Sequence, residues 1–454
     1  MAGDELLSVE AARAAVFAAI AGPTEAELAY LLEARGRVAA EPIDSPLDLP
    51  PWTNSAMDGY AIRSADVAAA TDASPVRLTV DGEVRAGQAA EQAVDRGSAI
   101  RIATGAPVPP RADAVVPVEQ TTPLDADGQP TGPRGRDAAG ALPTAVAVHE
   151  AVLPGGSLRT RGSDLAAGTR IVDVGTVLTP AVLGLTAGVG IDQLMVHRRP
   201  IVGILATGDE VRAPGSTLGP AGIPDANGPA LVAMVEAAGA DPRVLGIAAD
   251  RFDDVRARLC AGLFEADAII VSGGVSVGPY DVVRSAFAEF GSIDLWRVAV
   301  QPGKPFAFGT GRAPTGDADA DPKARPVLLF GLPGNPVSTF VTFELFVRPA
   351  LRRLAGHRDD DLYRPVDRAI LIDEVSKSHG RRAFVRVRVE RDATGSPVRD
   401  DRGRVQASLA GGAGGQGSHV LSALATADAL AVIPEADDRR PAGSEVEIWW
   451  LDRA

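Results

Sequence analysis

Four short apolar runs in the middle of the chain each end in a cluster of small and polar residues. Positions 200–205 lead into Ala206-Thr207-Gly208-Asp209-Glu210, and 244–247 into Ala248-Ala249-Asp250. Positions 268–271 lead into Ser272-Gly273-Gly274-Val275-Ser276, and 326–330 into Gly331-Leu332-Pro333-Gly334-Asn335-Pro336. Runs of this length read as buried strands. Between and after them, apolar residues recur at helical spacing over 227–240, 252–264, 281–290 and 336–354. Strands alternating with helices predict a parallel sheet with right-handed crossovers. In such a sheet the four loops leave one edge, the carboxyl ends, where open α/β sheets bind ligands. One glycine loop after a strand is a weak signal, but four polar loops on a single edge make that edge the candidate site.

The flanking pattern has period two. Alternation over 77–84, 99–102, 114–119 and 145–152 predicts a small β-rich domain at 52–156. Its expected turns are Asp81-Gly82 and Pro154-Gly155-Gly156, with Asp58-Gly59 joining two strands, and 122–141 is expected to be a flexible insertion. A second alternating region (369–372, 383–389, 430–433, 446–450) predicts a C-terminal β-domain at 357–454, with a glycine-rich connection at 411–417. At the start, Ser8 is positioned to cap a helix, and 24–34 reads as a second helix with Glu27 in capping-box position to Thr24. Positions 42–51 read as an extended connection. The helical run 180–187 is expected to return the chain to the first domain, so 1–51 and 157–194 form a discontinuous linking domain beside the α/β domain at 195–356. Within the latter, 315–325 reads as a disordered extension.

Composition narrows the chemistry. A chain of 454 residues accommodates two to four domains. The single cysteine, Cys260, excludes internal disulfides and a thiolate zinc site, and its apolar surroundings predict a buried thiol. Five histidines show no metal-ligand spacing. A net charge of −14 argues against nucleic acid and anionic membrane surfaces as partners. No apolar run reaches the length of a membrane span, and the N-terminus lacks the basic region of a signal peptide, so a soluble cytoplasmic protein is expected. An acidic edge that holds phosphates calls for a divalent cation such as Mg²⁺. Lys304, held between Pro302 and Pro305, is a candidate phosphate partner, and Arg159 and Arg161 beside Asp164 form a second candidate anion site.

Six motifs carry a family resemblance. Ser-Ala-Met-Asp-Gly-Tyr-Ala at 55–61, Arg-Ile-Ala-Thr-Gly-Ala at 101–106 and Thr-Gly-Asp-Glu at 207–210 are similar to the molybdopterin molybdenumtransferase family. So are Ser-Gly-Gly-Val-Ser-Val-Gly at 272–278, Pro-Gly-Lys-Pro-Phe-Ala-Phe-Gly at 302–309 and Gly-Leu-Pro-Gly-Asn-Pro-Val-Ser at 331–338. The family includes bacterial MoeA and the C-terminal part of gephyrin, and the motifs occur in order along essentially the whole chain. The resemblance implies a multidomain α/β plus β fold: a parallel-sheet α/β molybdopterin-binding domain, two small β-rich domains and a mixed N-terminal domain in an elongated subunit. It also implies a homodimer that takes adenylylated molybdopterin and molybdate, inserts the metal and releases AMP with Mg²⁺ present. The domain bearing Asp58 and Thr104 would then close over the pocket of the other subunit.

The candidate site follows from these two readings. Asp58, Glu210, Asp250 and Asp281 are the expected catalytic residues, with Asp250 and Asp281 on the metal and Asp58 and Glu210 orienting water or molybdate. Substrate contacts are expected from Thr104, Arg161, Asp164, Thr207, Gly208, Asp225, Asn227, Ser272, Gly273, Gly274, Ser276, Lys304, Pro333, Asn335 and Ser418, with backbone donors at 272–274. Three positions depart from the family pattern: Gln301 replaces a lysine, Ser163 a glutamate, and Pro279 an acid after the glycine loop. Each would weaken anion or metal binding. The alternatives are therefore a weak or inactive gephyrin-like scaffold that binds a partner peptide, and an adenylyltransferase. The two β-domains argue against the latter, which is a single-domain protein. The molybdopterin adenylyltransferase itself is an expected protein partner.

Overall fold

The computed structural model describes residues 6–135, 141–274, 282–314 and 325–451. The chain divides into two compact units, one of 1–41, 174–178 and 194–454, the other of 42–173 and 179–193.

The first unit is built on a six-stranded sheet in the order Asp241–Ala248, Ile201–Thr207, Ala268–Ser272, Val327–Leu332, Pro305–Gly311, Gly291–Arg297. The first four strands are parallel, in register from Val202 opposite Ala268 and from Ala268 opposite Leu328. These are the four apolar runs. The runs of Ile201–Thr207, Ala268–Ser272 and Val327–Leu332 are continuous because both sheet faces are covered there, whereas the edge strand Asp241–Ala248 leaves Val244 exposed. Ile204, Ile270 and Phe330 pack on one side with Val235 and Phe346. Leu205, Ile269 and Leu329 pack on the other with Leu259 and Phe287. The four predicted helices form at Asn227–Ala237, Phe252–Leu263, Val282–Ala288 and within 336–354. Cys260 is half-buried against the second of these cores rather than fully enclosed.

The antiparallel pair Gly291–Arg297 and Pro305–Gly311 was not among the expected strands. Gly291, Pro305, Gly309 and Gly311 are turn-type residues that mask its pattern, but Phe306 stacks on Phe346 at 4.5 Å and Phe308 tilts onto Phe330 at 5.3 Å. Burial of these rings outweighs the weak local preference.

In the C-terminal region, Arg382–Val389, Val405–Leu409, Val366–Leu371, Glu445–Trp450 and Ala429–Ile433 pair in that order, and the last pairs back to the first. The result is a closed five-stranded ring around Leu371, Val387, Val405, Ala431 and Ile448. Val405–Leu409, unrecognised from its Val-Gln-Ala-Ser-Leu pattern, completes the closure. The ring shares a core with the α/β layer through Phe384, Leu430 and Trp449. A buried ion pair reinforces the junction: Arg364 donates through Nε and Nη2 to the two carboxylate oxygens of Glu344, each at 2.9 Å.

Ser8 caps the helix Val9–Ala18 as predicted, its hydroxyl oxygen accepting from the Ala11 N–H at 3.1 Å. The second predicted helix is not formed. Ala26–Tyr30 is a strand beside Gln193–His197. Thr24 gives its hydroxyl proton to the Arg198 carbonyl and its N–H to the Leu354 carbonyl at 2.7 Å, and Glu27 pairs with Arg37, so both residues are tied to tertiary partners.

The second unit holds a six-stranded sheet in the order Ala114–Pro117, Gly59–Ile62, Ser98–Ile102, Val76–Val84, Ala145–Val148, Thr121–Leu124. Two expected loops are strand instead. Asp81-Gly82 is an irregularity inside Val76–Val84, where the register shifts, and not a turn. Thr121–Leu124 pairs with Ala145–Val148, so the expected insertion begins only beyond it. Asp58 does join two strands, but Asn54–Ser55 pairs with Leu158–Arg159 while Gly59–Ile62 enters the large sheet. Gly59 has to be glycine, because a Cβ there would lie 2.0 Å from the Val116 carbonyl oxygen. The predicted extension at 315–325 lies outside the described residues except for Arg325, which donates to the Gly22 and Pro23 carbonyls.

Candidate functional site

The strand order places the site. Asp241–Ala248 and Ala268–Ser272 flank Ile201–Thr207, so the connections from this central strand and its neighbours diverge at its carboxyl end and leave a crevice. A cavity of about 800 Å³ occupies it. All four predicted loops reach this cavity: Thr207, Gly208 and Glu210 from the first, Asp250 from the second, Ser272, Gly273 and Gly274 from the third, Pro333 and Asn335 from the fourth. Asp225 and Asn227, at the start of the first crossover helix, complete the wall.

The loops are tied together by side chains. Asp225 Oδ1 accepts the backbone N–H groups of Asn227 at 3.0 Å and Gly228 at 2.9 Å, which sets the first turn of the helix Asn227–Ala237. Asn227 Nδ2 reaches across to Ser272 Oγ at 2.7 Å and to the Gly334 carbonyl at 2.8 Å. Thr339 secures the same loop from behind by donating its hydroxyl to the Pro333 carbonyl. Gly273, at φ +96°, runs so close to the central strand that a Cβ would sit 2.7 Å from the Thr207 carbonyl oxygen. Its N–H donates to the Leu332 carbonyl at 3.1 Å. The backbone donor expected at Gly273 is therefore engaged within the sheet edge. This glycine permits close approach and does not face a ligand with its amide.

The charge of the lining is one-sided. Glu210, Asp225 and Asp250 contribute carboxylates, and among the described residues no lysine or arginine lines the cavity. Asp250 and Asp209 brace each other's loops, with Asp250 N–H to Asp209 Oδ1 at 3.1 Å and Asp209 N–H to Asp250 Oδ2 at 3.4 Å. Partial burial, followed by the charges of Asp209 and Glu210, holds the Asp250 carboxyl above its ordinary range despite an opposing backbone hydrogen bond. Hard oxygen donors crowded in this way suit Mg²⁺, which takes one or two protein carboxylates and fills its shell with water and phosphate oxygens. Among the described residues, no three carboxylates, imidazoles or thiols gather as a metal cluster. Asp281, the second expected metal ligand, lies outside the described residues, as do Ser276 and Pro279.

Several expected contacts fall elsewhere. Lys304 is half-buried and does not line the cavity, although its neighbour Pro305 does. Ser418 is likewise replaced in the lining by His419, which the sequence reading passed over, although a histidine closing a glycine-rich connection is a signal in itself. The Ser418 carbonyl instead accepts from the Val337 N–H at 3.1 Å. Gln301 accepts the Ser378 N–H at 3.2 Å through its side-chain oxygen.

In the second unit, Asp58 Oδ1 accepts both the N–H of Thr104 at 2.7 Å and its hydroxyl at 2.8 Å. These two bonds, the backbone one first, lower the Asp58 carboxyl below its ordinary range. The two residues join as a unit on an exposed loop pair. Arg161 is bonded to Asp48, so the guanidinium expected on substrate is engaged by a carboxylate 113 positions earlier. Asp164 is exposed, its N–H donating to the Leu49 carbonyl at 3.0 Å.

Fold and cavity together define a multidomain α/β protein with a carboxylate-rich ligand site at the switch point of a parallel sheet. Comparison with known proteins gives the family. Residues 7–190 match the MoeA N-terminal region (domains I and II), 203–353 a probable molybdopterin binding domain, and 368–451 the MoeA C-terminal region (domain IV). Molybdopterin molybdenumtransferase 2 of Mycobacterium tuberculosis is 37% identical over 93% of this chain and 94% of its own length. The molybdopterin molybdenumtransferase of Haemophilus influenzae is 32% identical over 98% of each chain. A molybdopterin biosynthesis MoeA crystal structure from Pyrococcus horikoshii superposes with a TM-score of 0.75 at 29% identity, covering 99% of this chain and 100% of its own. The chain belongs to the MoeA family of molybdopterin molybdenumtransferases.

Proposed function

We propose that this protein is a molybdopterin molybdenumtransferase, which inserts molybdate into adenylylated molybdopterin and releases AMP. The observation that carries the reading is the convergence of all four carboxyl-edge loops on one cavity, in a chain matched end to end by family relatives that bear this name. Opening a phosphoanhydride requires stabilisation of charge on the phosphoryl group and a positioned water. Ser272 offers a hydroxyl to a phosphate oxygen, Glu210 orients water or molybdate, and the Asp58–Thr104 pair supplies a fixed carboxylate. Mg²⁺, held by Asp250 with Asp281, would neutralise phosphate charge that no lysine or arginine of the described lining meets. The proposal extends to a homodimer in the cytoplasm that receives its pterin nucleotide from the molybdopterin adenylyltransferase. The scaffold reading is not favoured, because the full-length relatives carry the enzyme's name. The N- and C-terminal regions are both present, which sets a lone adenylyltransferase aside. No helix of the described residues is long and apolar enough to cross a membrane.

The test is AMP release and cofactor formation from adenylylated molybdopterin with molybdate and Mg²⁺, comparing the parent with Asp281→Ala and Gln301→Lys. Activity lost in Asp281→Ala supports the enzyme and its metal side. An inactive parent restored by Gln301→Lys identifies a degenerate site. Inactivity in both overturns the reading.

A further inference from the structure

We infer that Asn227 is a positioning residue that sets the polarity of the Ser272 hydroxyl, so that Ser272 presents its proton to an anionic oxygen of the ligand. The inference rests on the molybdopterin reading above and deepens it. Asn227 Nδ2 bonds the Gly334 carbonyl at 2.8 Å and Ser272 Oγ at 2.7 Å. A carbonyl oxygen only accepts, so the group facing Gly334 has to be the amide nitrogen, and the alternative flip of the side chain is excluded. The same nitrogen then donates to Ser272, whose oxygen acts as acceptor in that bond. A serine hydroxyl has one proton, and this one is left to point away from Asn227.

Ser272 is 3% exposed and lines the cavity, at the last position of its strand. A hydroxyl of unfixed polarity near Glu210, Asp225 and Asp250 would serve a cation or a carboxylic acid as readily as a phosphate. With one of its lone pairs occupied by the Asn227 donor, its single proton is turned away from Asn227 and is directed to an oxyanion of the ligand. Asp225 contributes indirectly: its carboxylate holds the Asn227 and Gly228 amides and so fixes where the Asn227 side chain starts. Asn227 and Asp225, both expected as substrate contacts and both in the cavity lining, thus also act through the protein, on the Ser272 hydroxyl.

The experiment is a double-mutant cycle on molybdopterin binding, followed by pterin fluorescence without turnover, with AMP release measured in parallel. Ser272→Ala and Asn227→Ala are each expected to weaken binding on the order of 10- to 100-fold, the scale of a hydrogen bond to a charged group. The double variant should lose no more than the weaker-binding single one, since Asn227 has nothing to orient once the hydroxyl is gone. Losses that multiply would overturn the inference and assign Asn227 a separate structural role through Gly334. Asn227→Asp guards against a simple packing effect: it keeps the shape and reverses the polarity, so it should bind at least as poorly as Asn227→Ala. Binding near the parent's would sink the idea. A parent that binds pterin but releases no AMP removes the transferase reading while leaving the cycle decisive. A parent that binds no pterin overturns both.

Discussion

Two aspartates expected to share one reaction sit in opposite electrostatic settings. Asp58, in the second unit, faces donors: the amide and the hydroxyl of Thr104 converge on one of its oxygens and hold it ionised. Asp250, at the cavity, is partly buried and faces Asp209 and Glu210; burial first, then those two charges, push its carboxyl upward against one backbone hydrogen bond. One region supplies its own compensation and the other leaves negative charge to be compensated from outside. Where carboxylates outnumber the donors around them, as at Asp250 with its single backbone donor from Asp209, an external cation or a proton compensates the excess charge. The Asp250 loop is therefore the side on which Mg²⁺ should act, and the Asp58 loop the side indifferent to it.

Replacing Asp250 by Asn should produce the largest effect. AMP release should fall about 100-fold or more, the scale of a lost electrostatic contact in the transition state, and the remaining activity should respond weakly to Mg²⁺. Stability should move the other way. A carboxyl raised in the folded chain contributes stability below its ordinary range, near pH 4, and loses it as pH rises through the raised value. Asp250→Asn should therefore raise Tm at pH 7, with the gain vanishing in acid. A lowered Tm at neutral pH would contradict the assigned electrostatics.

Asp58→Asn comes second, with roughly a 10- to 100-fold loss of activity, the scale of a charge-assisted contact. Its Mg²⁺ dependence should match the parent's. A shifted Mg²⁺ requirement would show that the two aspartates share one ion and would end the contrast between them. Thr104→Val should be mildest, at about 10-fold, because the backbone amide still holds Asp58. Asp58 is lowered in the folded chain, so its stabilising contribution is present above the ordinary carboxylate range and lost as pH falls through the lowered value. Thr104→Val should thus cost a little Tm at pH 7, solvent screening keeping the cost small, and none in strong acid. Thermal scans at pH 7 and at successively lower pH check this directly, the difference from the parent shrinking as the acid strengthens.

The three inner parallel strands were legible because burial on both faces leaves unbroken aliphatic runs, and the carboxyl-edge site followed from the alternation of strands with helices. Local preference failed where tertiary pairing overrode it. Ala26–Tyr30 is composed largely of helix formers yet lies along Gln193–His197, and the strand Pro305–Gly311 carries three turn-type residues yet buries Phe306 and Phe308. Many of the residues that line the cavity were legible, but the hydrogen bonds that tie them together were not. Nothing local in the sequence tells that Arg161 belongs to Asp48, that Gly273 gives its amide to Leu332, or that Asn227 spans 45 positions to Ser272. Such roles depend on who holds which hydrogen, and that is decided by contacts distant along the chain.

The Glu344–Arg364 pair has a further consequence, for how the molecule comes apart. Glu344 belongs to the last helical stretch of the α/β layer and Arg364 to the approach to the closed ring, and the aromatic seam of Phe384 and Trp449 lies in the same core. Neither part can melt without baring the other's apolar face or stranding a buried charge, a loss of about 3–5 kcal/mol for the pair. Calorimetry should therefore show the α/β layer and the ring unfolding in one transition. Glu344→Gln should split that peak, with the ring separating first.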